Sequence, residues 1–434
     1  MKRGSKQRRA LSTQGRGKIE RFGDDDLSRD LADALRAGAD RDVAGSLTHP
    51  IHTYPARLHP GTARALVSVA EELVRRGRTR LSVVDPFCGS GTILVEAAYA
   101  GGLAAGVDAN PLAVAIARAK TWQASARQRD QVVTTAAEIA GRVIREGKAA
   151  RRAGHAQRPL RAPRGVNARV RDRAVGNWFA PHVRRELESI AAEVDDIEDP
   201  AQRNALMVVL SSLLYKVSYR ASDTDPSRVV RNIGRGQAAR LFRDRAKQLC
   251  DGLAELSRHA PRERVDVFAG DARELDALPL PERVDAVITS PPYAGTYDYV
   301  DHHKLRMDFL GYSTRQFASD EIGARSGFRG DRGSRDKAIK QFERDFGRSL
   351  TQMTKLVRPG GMIALVIGDS LAGGRPIHAD EVVKSLVSGR GEVVARAAQT
   401  RPVFGSGEKR AFAKRGKWEH LILIKTKKPA KLKR

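Results

Sequence analysis

The apolar run Val284-Asp285-Ala286-Val287-Ile288-Thr289 is followed at once by Ser290-Pro291-Pro292-Tyr293. A short run of that kind reads as a buried strand. Consecutive prolines cannot continue a hydrogen-bonded ladder, and they hold the chain in an extended, rigid turn. This chain must therefore present a hydroxyl, carbonyls without competing N–H groups, and an aromatic ring just beyond a strand. Open α/β sheets bind their ligands at that carboxyl end. An ordinary strand-ending turn has the same local pattern, so the reading depends on what else the chain places at strand tips.

Other tips carry chemistry too. Leu81 to Val84 reads as a strand, followed by Asp85-Pro86-Phe87-Cys88-Gly89-Ser90-Gly91-Thr92 and a helix from Ile93 to Ala100. Glycines at 89 and 91 let backbone approach a ligand where a Cβ would clash. The next strand, Ala104 to Val107, ends in Asp108, an acid placed to accept hydrogen bonds from ribose hydroxyls. Asn110-Pro111 then supplies the cap and first residue of another helix. Val265 to Phe268 ends at Gly270-Asp271, with Asp271 placed to meet an adenine amine, and Met362 to Ile367 ends at Gly368-Asp369. Glu392 to Ala397 and Leu421 to Ile424 complete the strands. The glycine turn is neither a P-loop nor a GxGxxG fingerprint, so a nucleotide-like ligand is expected without either signature.

Charge points to the partner. Among 434 residues, Lys+Arg number 78 and Asp+Glu 51, a formal net charge of +27. Such an excess suits a polyanion, most simply nucleic acid. Cys88 and Cys250 stand far apart, which argues against a disulfide framework or a zinc site. No metal is expected: His49, His52 and His59 fall in one proline-rich segment without carboxylates nearby, and read as loop packing. His302 and His303 read as flanking packing in a helix. No run approaches the ~18 apolar residues of a membrane span. The basic amino terminus has no apolar stretch behind it, so a soluble cytoplasmic protein is expected.

Composition divides the chain. Residues 1–45 read as a basic arm, disordered through residue 22, with a short helix near Leu27 to Leu35. Residues 46–120 and 261–425 carry the strand-tip motifs. Between them, 121–260 loses the strand pattern and reads as a basic helical insertion. Its arginines cluster from Arg142 to Arg173, which favours a nucleic-acid grip over a solvated cap. Residues 311–337 read as a mobile basic loop near the Pro-Pro turn, and 426–434 as a basic tail.

Taken together, the motifs resemble those of the S-adenosylmethionine-dependent amino-methyltransferases of DNA, which act on exocyclic amines of cytosine or adenine. Asp85, Pro86, Phe87, Gly89, Gly91 and Thr92 look like their cofactor motif, and Asp108 and Asp271 match the ribose and adenine positions. Tyr54-Pro55-Ala56-Arg57-Leu58-His59-Pro60 is similar to the stretch over the methionine end of the cofactor, Tyr54 included. Ser290, Pro291, Pro292 and Tyr293 look like the catalytic motif. The resemblance covers residues 49–120 and 262–370 and the final hairpin. It implies an α/β, Rossmann-like, seven-stranded methyltransferase sheet carrying the helical insertion, with 46–120 as the cofactor-binding half and 261–425 as the catalytic half. It implies S-adenosylmethionine as cofactor and DNA as partner. Ser-Pro-Pro-Tyr is more typical of cytosine N4 than of adenine N6 methylation, although the motif order here is the reverse of many such enzymes. A restriction-modification setting would follow. The alternatives are an RNA methyltransferase of the same fold and a catalytically silent nucleic-acid-binding protein.

The implied chemistry needs no covalent nucleophile. An aromatic amine is a poor nucleophile because its lone pair is delocalised into the ring. The Ser290 hydroxyl and Pro291 carbonyl would accept hydrogen bonds from it and localise the pair, so positioning does most of the work. Tyr293 would stack on a base turned out of its duplex.

Overall fold

The computed structural model describes residues 17–74, 80–152, 177–225, 227–259 and 264–426. Its strands are β1 (Ile19–Gly23), β2 (Ser82–Asp85), β3 (Leu103–Asp108), β4 (Val265–Ala269), β5 (Val284–Thr289), β6 (Val357–Gly368), β7 (Ser370–Ala372), β8 (Arg375–Ile377), β9 (Gly391–Thr400) and β10 (Trp418–Thr426). Period-2 alternation sorts the central side chains onto two faces. Val83, Ala286, Ile288, Ala364 and Val366 bury against one helical layer that includes Leu31, Leu66 and Leu94. Their neighbours Val84, Val287, Ile363, Leu365 and Ile367 bury against the other, with Phe346, Leu350 and Met353.

The main sheet has eight strands in the order β1-β9-β10-β6-β5-β2-β3-β4. Pairings from β6 through β4 are parallel, whereas β10 is antiparallel to both β6 and β9. Strand order reverses between β2 and β5, which pair side by side. Carboxyl ends at such a reversal leave a crevice, and Asp85 and Thr289 are the last residues of the two strands.

The eighth strand corrects the reading of residues 1–45. β1 pairs with β9 along Ile19 to Gly23, and the helix Asp25–Ala37 buries Leu31, Ala32, Ala34 and Leu35. Residues 17–45 are thus part of the fold. Sequence hid β1 because an edge strand carries charge (Glu20, Arg21) in place of a clean alternation. Residues 1–16 and 427–434, expected as arm and tail, lie outside the described residues.

The segment 121–260 holds the helices Ala126–Arg152, Pro181–Asp195, Pro200–Val217 and Gln237–His259. They form a core of their own around Leu187, Leu206, Leu213 and Phe242, which also takes in Leu305 and Phe309. The insertion is therefore packed against the helix Tyr299–Leu310, which follows the Pro-Pro turn. Of its basic cluster, Arg158, Arg161, Arg164, Arg169, Arg171 and Arg173 lie outside the described residues. No helix among the described residues is long and apolar enough to cross a membrane.

Candidate active site

β2 delivers Asp85 to the switch point. Its Oδ1 accepts from the Thr289 hydroxyl at the end of β5 (2.6 Å) and from the Phe87 N–H (3.1 Å). These bonds tie the glycine turn to the strand that carries Ser290. Burial pushes the Asp85 carboxyl up to about 7. Asp108, at the tip of β3, accepts the Gly89 N–H and the Asn110 N–H, each at 2.8 Å. Burial outweighs those two donors and places Asp108 at about 6.

Glycine is required twice in this turn, at Gly89 (φ 50°) and Gly91 (φ 76°). A Cβ on Gly89 would lie 3.4 Å from the Tyr54 ring, whereas one on Gly91 would press on Ala117 at 3.0 Å. Gly89 thus opens room toward Tyr54, while Gly91 allows helix Thr92–Tyr99 to pack. Lys120, 0% exposed, donates to the Ser90 carbonyl at 2.9 Å and steadies the turn from behind.

One cavity gathers these groups. Its wall includes Tyr54, Asp85, Pro86, Phe87, Gly89, Thr92, Asp108, Asp271, Ser290 and Pro292. Gly91, Pro291 and Tyr293, also expected at the site, lie outside that wall. The Tyr293 ring rests against Gly368, where a Cβ would come within 2.9 Å, and its hydroxyl approaches the Val366 carbonyl at 3.4 Å and Glu419 at 3.5 Å. Glu419 is in turn paired with the buried Arg401. Asp271 lines the cavity but already holds Arg273 through both carboxylate oxygens, Oδ1 accepting from Nε at 3.0 Å and Oδ2 from Nη2 at 2.6 Å.

The motif segment before helix Pro60–Val74 forms the facing wall. The Tyr54 hydroxyl accepts from Asn110 at 3.3 Å, and its ring lies on that of His303, with centroids 4.6 Å apart. His49 is joined to Glu96 at 2.7 Å, His52 to Ser211 at 3.0 Å, and His59 accepts from the Gly61 N–H at 3.1 Å. These contacts account for all three histidines as packing.

Sequence reading placed one wall near the Pro-Pro turn but named none of its lining residues. Phe317, Asp320, Glu321 and Ile322 line the cavity, although 311–337 reads in sequence as a mobile loop. In the structure that stretch holds the helix Arg315–Asp320, the short turn Arg325–Phe328 and the start of helix Arg332–Leu356. It buries Phe317, Ile322 and Phe328, and these three widely spaced apolar residues among arginines were the only signal. Glu321 accepts the Tyr299 N–H at 2.7 Å, and burial raises its carboxyl to about 7.

Asp369, Asp380 and His420 bring ligand atoms within 4.8 Å of one another. Their charges are already answered. Asp369 accepts from the Ala379 N–H (2.9 Å), the Trp418 N–H (3.0 Å) and His420 (3.2 Å), while Asp380 is paired with Arg396 and Arg415. Burial pushes the Asp369 carboxyl up, but these donors outweigh it and hold it below the ordinary range. The cluster is a brace beneath β6 and β10.

A nucleoside that carries a cationic sulfonium suits the cavity. Asp85, Asp108 and Glu321 line it and, once ionised, would complement positive charge, and the space over Gly89 is one that a side chain would fill. S-adenosylmethionine bound there would supply an electrophilic methyl group.

Comparison with known proteins agrees. Residues 50–165 match the family model described as RMKL-like, methyltransferase domain. The Type II methyltransferase M.MvaI of Kocuria varians is 37% identical over 75 residues, which cover 17% of this chain and 16% of that enzyme. The Type II methyltransferase M.MjaII of Methanocaldococcus jannaschii is 21% identical over 230 residues, 44% of this chain and 40% of that enzyme. The matched regions span less than half the length of either relative. Among solved structures, TrmN from Thermus thermophilus aligns over 84% of this chain and 49% of its own, at 10% identity and a TM-score of 0.31. The rRNA methyltransferase aviRa from Streptomyces viridochromogenes aligns over 89% of this chain and 94% of its own, at 12% identity and a TM-score of 0.34. Scores that low carry no argument, and the fold rests on this chain's own strand order. The family match covers the strand and glycine turn that build the cavity, and that part of the chain is similar to a methyltransferase domain.

Proposed function

We propose that the protein transfers a methyl group from S-adenosylmethionine to an exocyclic amine of a DNA base, cytosine N4 in preference to adenine N6. The observation that carries this reading is that Ser290 and Pro292 line the same cavity as Asp85, Asp108 and Gly89. Acceptors for an amine and acids for a sulfonium nucleoside therefore share one space. Ser290 would accept a hydrogen bond from the amine and the Pro291 carbonyl a second, leaving the nitrogen lone pair free to point at the methyl group. Asp108 would hold the ribose, and Asp85, through Thr289, would keep the glycine turn in register with Ser290. Asp271, braced by Arg273, would accept from the adenine amine of the cofactor. Tyr293 would face the extruded base. The thiol of Cys88 is no candidate nucleophile, since burial pushes it well above its ordinary range.

The DNA preference rests on the Ser-Pro-Pro-Tyr turn, and the net charge of +27 supports a polyanionic partner. Transfer of labelled methyl to duplex DNA, single-stranded DNA and total RNA, with product nucleosides resolved by mass, tests it. N4-methylcytosine in DNA is the expected product. N6-methyladenine would keep the mechanism and change the base. Label confined to RNA would overturn the DNA assignment.

A further inference from the structure

Residues 218–222 and 227–231, on the loop after helix Pro200–Val217, fold back on one another. Arg220 and Arg228 form an antiparallel bridge, the Val229 N–H donates to the Tyr219 carbonyl (2.7 Å), and the Ala221 N–H donates to the Ser227 carbonyl (2.9 Å). Arg231 locks the turn from inside, donating to the carbonyls of Ser218, Arg220 and Ala221 at 2.5, 2.6 and 3.1 Å. Such a ladder holds its side chains in fixed directions.

Its side chains are cationic and aromatic, with Arg228 exposed and Arg220 half-buried. The exposed Arg228 lies over the Tyr219 ring at 4.7 Å, and Arg220 lies 5.9 Å from the Trp178 ring and 5.6 Å from that of Tyr215. Val230 beside them is 97% exposed. A guanidinium held on an aromatic face is pre-organised and gives up little freedom on meeting a phosphate. Of the nearby acids, Asp223 is engaged by Arg306 at 3.3 Å, whereas Asp225, which accepts from the Ser227 N–H at 2.9 Å, stays ionised and offsets part of the charge of Arg220 but not that of Arg228.

The ladder is also fixed relative to the cavity. Tyr215 donates to the His302 carbonyl at 2.9 Å, and the His302 ring meets Tyr297 edge-on at 5.8 Å, four residues beyond Tyr293. Arg306, 0% exposed, spans from Asp223 to the Thr53 hydroxyl (2.8 Å), next to Tyr54 of the cavity wall. A group seated on the ladder would thus be held in register with both the cofactor cover and the Pro-Pro turn.

We propose that this arginine ladder is a nucleic-acid contact of the enzyme, in which Arg228 and Arg220 hold backbone phosphates beside the base presented to Ser290. The assignment rests on the nucleic-acid methyltransferase reading above and adds the surface that grips the strand.

The test compares the full chain with Arg228→Gln, Arg228→Lys and Arg220→Gln, using a labelled random-sequence duplex over a range of salt. Arg228→Gln should weaken binding about tenfold and flatten the log–log salt slope by roughly one, the loss of one phosphate contact. Arg228→Lys keeps the charge and should restore the slope. Arg264→Gln, at the amino-terminal end of β4, should change neither. S-adenosylmethionine binding, followed by calorimetry, should be equal in all of them. If wild-type enzyme methylates nucleic acid while Arg228→Gln keeps the wild-type affinity and slope, the ladder is not the contact and the enzyme assignment stands. If the wild type methylates no nucleic acid, the enzyme reading falls, and the ladder with it.

Discussion

Asp85 at about 7 and Asp108 at about 6 are carboxylates held above their ordinary range by burial. Each keeps its proton in the folded protein at a pH where the unfolded chain has lost it. Their contribution to stability is therefore fully present below the ordinary carboxylate range and is lost as pH rises through 6 and 7. A cationic ligand favours the ionised forms and reverses that balance. S-adenosylmethionine affinity is expected to rise from pH 5 to about pH 7.5 and then level, with proton release visible by calorimetry in buffers of different ionisation enthalpy. The neutral thioether product should show a shallower rise. Flat affinity across that range would remove these acids from the site. Asp108→Ala should weaken the cofactor, whereas Ser290→Ala should leave cofactor affinity intact and lower turnover at least about a hundredfold, as loss of an orienting acceptor does. Radiometric transfer and calorimetry separate the two. At this scale sequence named Ser290, Asp85 and Asp108 because strand ends dictate position. Lys120 and Glu321 gave no such signal, since a lysine at a helix end and a glutamate in a basic stretch are ordinarily solvated.

At the scale of elements, the turn between β2 and helix Thr92–Tyr99 is sensitive to a single atom. Gly91 combines a positive φ with a close approach to Ala117, so Gly91→Ala should cost roughly 1–3 kcal/mol in denaturant unfolding. Gly101 also has a positive φ, but a Cβ there meets nothing within 4 Å. Gly101→Ala should therefore carry only the backbone strain, and a cost equal to that of Gly91→Ala would show that packing on Ala117 is irrelevant. The opposite wall was harder to foresee. Residues 313–331 are Arg- and Gly-rich, and their few apolar side chains follow neither helical nor strand period. They are ordered by contacts from elsewhere, such as Arg325 N–H to the Tyr297 carbonyl (2.9 Å) and Gly295 N–H to the Gly323 carbonyl (3.0 Å).

At the scale of the molecule, the amino-terminal strand and helix close the sheet beyond β9. Removing residues 1–45 exposes the sites that Leu31 and Leu35 fill, a loss of roughly 3–6 kcal/mol for those two side chains alone. The truncated chain should melt well below the full chain in a thermal scan, and an unchanged melting temperature would return that region to the status of an arm. What sequence determined by itself was the set of strand tips and their chemistry. Proline ends a ladder and glycine permits a turn wherever they occur, so these residues declare their geometry locally. Only the tertiary structure decided that β2 and β5 lie side by side, that the insertion packs on the helix after the Pro-Pro turn, and that Glu321 reaches the cavity. Those outcomes depend on which apolar surfaces find one another across hundreds of residues, and no local pattern records that choice.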